Sequence, residues 1–168
     1  MSNYVAVRER LSLLETMRRA AASLGYPQLK EEQEQALVHF ANGHNVFVSL
    51  PTGYGKSLCY VVLLRLFDMP RGTENTSIVV VVSPLIALMK DQIATFTAKR
   101  IRTVYVSDRE DCTGATRRSM RKGEYQVVYV SPEAWFGTLE MRTMLSTELY
   151  RDNLVGFIVD EAHCVKKW

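Results

Sequence analysis

The chain has 168 residues, 47% apolar and 23% charged, with a formal net charge of +3. That suits one compact domain with a real core, and the mild positive balance permits nucleic acid as a partner without demanding it. No apolar run approaches the roughly 20 residues of a membrane span, and the charged opening MSNYVAVRERLSLLE is no secretory signal.

A first helix is expected from about Val5 to Ser23, with Val7, Leu11 and Leu14 on one stripe, ahead of a domain over 24–168. Gly25-Tyr26-Pro27 breaks it, and a second helix follows from about Lys30 to Ala41, closed by Asn42-Gly43. The pattern then becomes strand, loop, helix: Val46–Ser49, the glycine-bearing Leu50–Gly55, and Lys56–Leu66. A strand over Ser77–Val82 carries four consecutive valines, as a strand buried on both faces of a parallel sheet does. A helix from Pro84 to about Thr97 comes next. Strands near Arg102–Val106, Gln126–Val130 and Leu154–Val159 follow, with helical stretches between them. Alternating strand and helix predict an α/β fold, a mostly parallel sheet flanked by helices with ligands beyond the carboxyl ends of the strands. Cys59, Cys112 and Cys164 form no C-x-x-C pair. This speaks for reduced thiols in an intracellular protein, in the nucleus of a eukaryote or the cytoplasm of a bacterium, and against structural zinc.

Pro51-Thr52-Gly53-Tyr54-Gly55-Lys56-Ser57 lies between a predicted strand and a predicted helix. Gly53 and Gly55 let backbone N–H groups turn inward around phosphate oxygens, and the helix start aims its positive end at the same anion. Thr52 lies in the same cradle. Lys56 would neutralise the β- and γ-phosphates of ATP, and the Ser57 hydroxyl would ligate Mg²⁺. Leu50 stands where the strict phosphate-loop pattern has glycine, and Tyr54 reads as a tolerated side chain at a variable position.

Asp160-Glu161-Ala162-His163 follows the apolar strand Leu154–Val159 at once. A carboxylate at the strand tip, Asp160, can hold Mg²⁺, and Glu161 can polarise a water for attack on the γ-phosphate. A merely solvated acidic loop is the alternative. Ser83-Pro84 and Ser131-Pro132 each fall where a strand ends and a helix begins, which suits helix capping or a grip on a sugar–phosphate backbone. Lys99, Arg100 and Arg102, and Arg117, Arg118, Arg121 and Lys122, read as solvated basic faces.

These residues resemble the RecQ family of superfamily 2 DNA helicases from about Leu24 to the end. Leu24-Gly25-Tyr26-Pro27-Gln28-Leu29-Lys30-Glu31-Glu32-Gln33 is similar to its adenine-recognition motif, with Leu24 and Lys30 in place of the usual Phe and Arg. Leu50–Tyr60 resembles its extended Walker A, Val82–Gln92 its motif Ia, Tyr129–Glu133 its motif Ib, and Asp160–Cys164 its motif II. The resemblance implies a RecA-like P-loop NTPase domain that ends after motif II, before a second RecA-like domain. Tyr26, Lys30 and Gln33 would then contact adenine, Ser83, Pro84, Ser131 and Trp168 would contact DNA, and His163 would couple the two. It also implies ATP and Mg²⁺ as cofactors, and single-stranded and tailed duplex DNA as partners in repair and recombination. A strand carrying motif III would lie between Val46–Ser49 and Leu154–Val159, so neither should find its usual neighbour. An RNA helicase of the same superfamily and a fragment that binds without turnover are the alternatives.

Overall fold

The computed structural model describes residues 3–107, 113–137 and 139–167. The chain forms two compact units, Met1–Glu74 and Asn75–Trp168.

The first unit is helical: α1 (Asn3–Ser23), α2 (Glu31–Ala41) and α3 (Lys56–Arg71). Helix α3 buries Leu58, the run Tyr60–Leu64, and Leu66, so apolar side chains reach most of the way round it. Such a helix belongs inside a core. Met17, Ala20 and Leu37 from the other two helices are buried as well, and Arg18 and Glu34 form an ion pair at 2.9 Å. Helix α3 runs past the expected end at Leu66. Pro70 is absorbed in its last turn, and Gly72 in the left-handed conformation closes it.

Val46–Ser49 is not a strand. Its alternation survives in the burial, with Val46 and Val48 half-buried and Phe47 81% exposed. A strand exists only through its ladder, and every strand of the described residues lies in the second unit.

That second unit runs β1 (Ile78–Val82), α4 (Ile86–Ala98), β2 (Thr103–Val106), α5 (Gly114–Arg121), β3 (Val127–Val130), α6 (Pro132–Gly137), α7 (Leu139–Leu145), α8 (Glu148–Asn153) and β4 (Leu154–Val159), then a 3₁₀ turn over Ala162–Lys167. The four strands are parallel in the order β2-β3-β1-β4. Val80 of β1 faces Val128 on one side and Phe157 on the other. Strand β1 is buried along its whole length, as its valine run predicts. Each such side chain contributes on the order of 1.5–3 kcal/mol.

Ile78, Val80, Val128, Val130, Met120, Met141, Met144 and Tyr150 belong to one core cluster. The Tyr150 hydroxyl donates to the Met120 carbonyl at 2.8 Å. At the amino ends of the strands, Gln126 donates to the Asn75 side chain at 3.2 Å and Arg102 to the Asn75 carbonyl at 2.9 Å. The strand starts are thereby tied together, and the chemistry-bearing residues fall at the opposite ends.

Candidate nucleotide and nucleic-acid site

In the first unit the phosphate loop is shaped by Gly53 and Gly55, with φ of +79° and +89°. Gly55 caps α3, so Lys56 and Ser57 open that helix. The Lys56 ammonium donates to the Leu50 carbonyl at 2.9 Å and the Pro51 carbonyl at 3.4 Å. Thr52 and Gly53 are exposed, and Ser57 is half-buried.

The loop is held from α2. The Gln33 amide nitrogen donates to the Tyr54 and Gly55 carbonyls, both at 3.1 Å, and its oxygen accepts the Lys30 N–H at 2.9 Å. Helical spacing alone places Gln33 on an exposed face, but it is 2% exposed. The approach is close enough that a Cβ at Gly55 would lie 2.7 Å from the Gln33 amide nitrogen. Glycine is favoured there by its φ of +89°, and any other side chain would also push the Gln33 amide aside.

Tyr54 reaches the start of α2 with its side chain. Its hydroxyl donates to Glu32 at 3.1 Å, and the Lys30 ammonium sits over its ring at 3.4 Å from the centroid. The hydrogen bond to Glu32, with burial and the carboxylate charge adding to it, raises the phenol pKa. Tyr26, half-buried, follows the turn at Gly25, and its N–H donates to the Ala21 carbonyl. Lys30, Gln33, Tyr54, Gly55 and Lys56 thus form one connected group. The contact of Tyr54 with Glu32 was not expected from the sequence, and a bulky ring inside a glycine loop was the signal available.

In the second unit Asp160 follows β4, and its N–H donates to the Val82 carbonyl of β1 at 2.8 Å. One more ladder bond therefore fixes the carboxylate at the strand tip. Glu161 adopts φ +52°, a left-handed conformation uncommon outside glycine, and its N–H donates to the Asp160 side chain at 3.0 Å. The Glu161 carboxylate meets the His163 ring at 3.2 Å. Asp160, Glu161 and His163 are therefore brought together in a tight turn.

Among the described residues no group of three His, Cys, Asp or Glu could hold a metal ion. Mg²⁺ does not require one, because it binds through one or two protein oxygens plus phosphates and water. The hydroxyl of Ser57 and the carboxylate of Asp160 are hard oxygen donors that fit it.

The two Ser-Pro pairs differ. Pro132 opens α6, and the Ser131 hydroxyl accepts the Ala134 N–H at 3.2 Å, a true N-cap. Helix α4 begins only at Ile86 with Leu85 as its cap, so Ser83 and Pro84 precede the helix instead of capping it. The Ser83 hydroxyl is buried with no hydrogen-bond partner among the described residues. Trp168 lies outside the described residues. Of the basic residues, Arg117 and Arg121 are both paired with Glu140 at 2.6 Å.

The parallel sheet flanked by helices is a RecA-like α/β fold. The family model of the DEAD/DEAH box helicases matches residues 30–168. The chain belongs to that family, and ATP use goes with the class. It is 35% identical over 147 residues to ATP-dependent helicase SGS1 of Saccharomyces cerevisiae, covering 84% of this chain and 10% of that protein. It is 31% identical over 147 residues to ATP-dependent DNA helicase RecQ of Haemophilus influenzae, covering 86% and 22%. To RecQ-like DNA helicase BLM of Xenopus laevis the identity is 30% over 148 residues, covering 86% and 10%. The chain thus spans a quarter or less of the length of these curated relatives. Among solved structures, the DUF1998 helicase MrfA bound to DNA and AMPPNP superposes with a TM-score of 0.68 at 22% identity, covering 89% of this chain and 21% of that one. That likeness supports the fold alone. No helix among the described residues is long and apolar enough to cross a membrane.

Proposed function

We propose that this chain is the ATP-binding and ATP-hydrolysing part of a RecQ-like DNA helicase. The phosphate loop at the head of α3 is the observation that carries this reading, and the RecQ-type relatives turn it towards DNA. The loop N–H groups and Lys56 receive the β- and γ-phosphates, for which Lys56 exchanges its bonds to the Leu50 and Pro51 carbonyls. Ser57 and Asp160 would each offer an oxygen to Mg²⁺, which would supply neutralising charge to the phosphates. Glu161 accepts a proton from the attacking water, and His163 holds the Glu161 carboxylate at 3.2 Å between turnovers. Tyr26, Lys30 and Gln33 take the adenine, and Gln33 exchanges one of its present bonds to do so. Ser83, Pro84, Ser131 and Trp168 position a single DNA strand through its backbone without reading sequence. In the whole protein this work drives movement 3′ to 5′ along single-stranded DNA and opening of tailed duplexes, in repair and recombination.

A steady-state ATPase assay with single-stranded DNA, with RNA and with neither tests the proposal. Hydrolysis stimulated by DNA is expected. Stimulation by RNA alone would make the chain part of an RNA helicase, and nucleotide binding without hydrolysis would make it a binding module.

A further inference from the structure

The phosphate-loop pattern Thr-Gly-x-Gly-Lys-Ser asks nothing of its variable position, yet here that position carries a tyrosine with three contacts to the start of α2. Its carbonyl accepts from Gln33, its hydroxyl donates to Glu32, and its ring carries the Lys30 ammonium at 3.4 Å. Gln33 and Gly55 fix the backbone from which the ring projects, and the loop is in contact with the Gln33 side chain already. The ring is therefore held on Lys30 from both ends, at its backbone and at its hydroxyl.

Lys30 is the cation assigned above to the base. An ammonium over an aromatic face is attracted by the ring's quadrupole, and a purine presents a π-face of the same kind. The Tyr54 ring covers one side of this ammonium. A base that comes to that same side must take Lys30 from Tyr54.

We propose that Tyr54 is a specificity-determining residue for nucleotide binding: its ring occupies Lys30 as a nucleobase would, so the base adds little to affinity and the triphosphate dominates. This rests on the ATP-binding reading above. It assigns Tyr54 a role opposite in sign to that of the other loop residues, since removing the ring strengthens ATP binding. Replacing the ring also releases Glu32, whose hydrogen bond now holds the phenol in place.

The test is calorimetric titration of the full chain with ATP and with inorganic tripolyphosphate, each with Mg²⁺. Tripolyphosphate reports the loop without the base, so the ratio of the two affinities isolates the base. Tyr54→Leu keeps bulk and removes the π-face. It should raise the preference for ATP over tripolyphosphate by about twofold to fivefold. Tyr54→Phe keeps the ring and should leave the parent ratio unchanged. Adding Lys30→Met to Tyr54→Leu should abolish the gain. An unchanged or lower ratio in Tyr54→Leu, or equal shifts for both ligands, would overturn the inference and make Tyr54 a scaffold for the loop. Lys56→Ala separates this failure from that of the underlying reading: undiminished ATP binding in Lys56→Ala sinks the phosphate-loop assignment and this inference with it. Lost binding there, with no change of ratio in Tyr54→Leu, sinks the Tyr54 role alone.

Discussion

At the scale of single residues, Lys56 and Glu161 should fail in different ways. Lys56 is the cation nearest the phosphates in the proposed complex, so Lys56→Ala should lower ATP affinity by at least about tenfold. Glu161→Gln keeps size and hydrogen bonding but loses the base. ATP binding should persist while hydrolysis falls by about a hundredfold or more. Titration and single-turnover hydrolysis of the two variants check this, and hydrolysis at the parent rate in Glu161→Gln would remove Glu161 from the role of base. The placement of Lys56 and Ser57 at a helix start, and of Asp160 and Glu161 at a strand end, was legible because such chemistry demands a fixed order there. Gln33 and Tyr54 were not legible in the same way. Their contact joins positions 21 apart in the chain, and no local period reports such a pairing. Lys30 over the Tyr54 ring has the same origin.

At the scale of elements, the two Ser-Pro pairs give a contrast that sequence alone could not. Ser131 caps α6, so Ser131→Ala should cost about 1 kcal/mol of stability. Ser83 precedes α4 and its buried hydroxyl has no partner among the described residues, so Ser83→Ala should leave stability unchanged or slightly raised. Denaturant unfolding of both variants checks the stability half. Loss of single-strand binding in a Ser83→Ala protein of parental stability would mark that hydroxyl as a ligand group. The two pairs look alike in sequence because both follow a buried strand. What separates them is where the helix starts, and helix boundaries are set by tertiary contacts that spacing does not show. Val46–Ser49 is the same lesson in another form: alternation was present, but a ladder partner within its unit was not. Helices α5 and α7 are linked by Glu140, which pairs with Arg117 and Arg121. Desolvation pushes the Glu140 carboxyl up, but the hydrogen bonds from Arg121 and Arg117 and their charges bring it below its ordinary value of 4.5. A carboxylate with a lowered folded pKa stabilises above its unfolded value and loses that contribution as pH falls through the folded one. The stability difference between the parent and Glu140→Gln should therefore be flat above about pH 5 and shrink below it. A difference that grew on acidification would contradict the pairing.

At the scale of the whole molecule, charge decides how the chain should hold a single strand. The 21 basic and 18 acidic residues leave a net charge of only +3. Two of the basic residues, Arg117 and Arg121, already share Glu140, and Arg102 is engaged with the Asn75 carbonyl. The proposed backbone contacts at Ser83 and Ser131 are hydroxyls and N–H groups, which carry no formal charge and release few counterions. Each phosphate neutralised on a single strand contributes about −0.7 to the slope of log K against log salt concentration. Binding through the Ser-Pro ends of β1 and β3, helped by one or two lysines, predicts a slope no steeper than about −2. Binding through the seven basic residues Lys99, Arg100, Arg102, Arg117, Arg118, Arg121 and Lys122 predicts about −5. Fluorescence anisotropy of a labelled oligonucleotide between about 50 and 200 mM salt resolves these values. The shallow slope is expected, together with similar affinity for unrelated sequences, since backbone contacts carry no base information. A slope near −5 would move the DNA site from the carboxyl ends of the strands to the basic faces, and Ser83 and Ser131 would then be structural residues only.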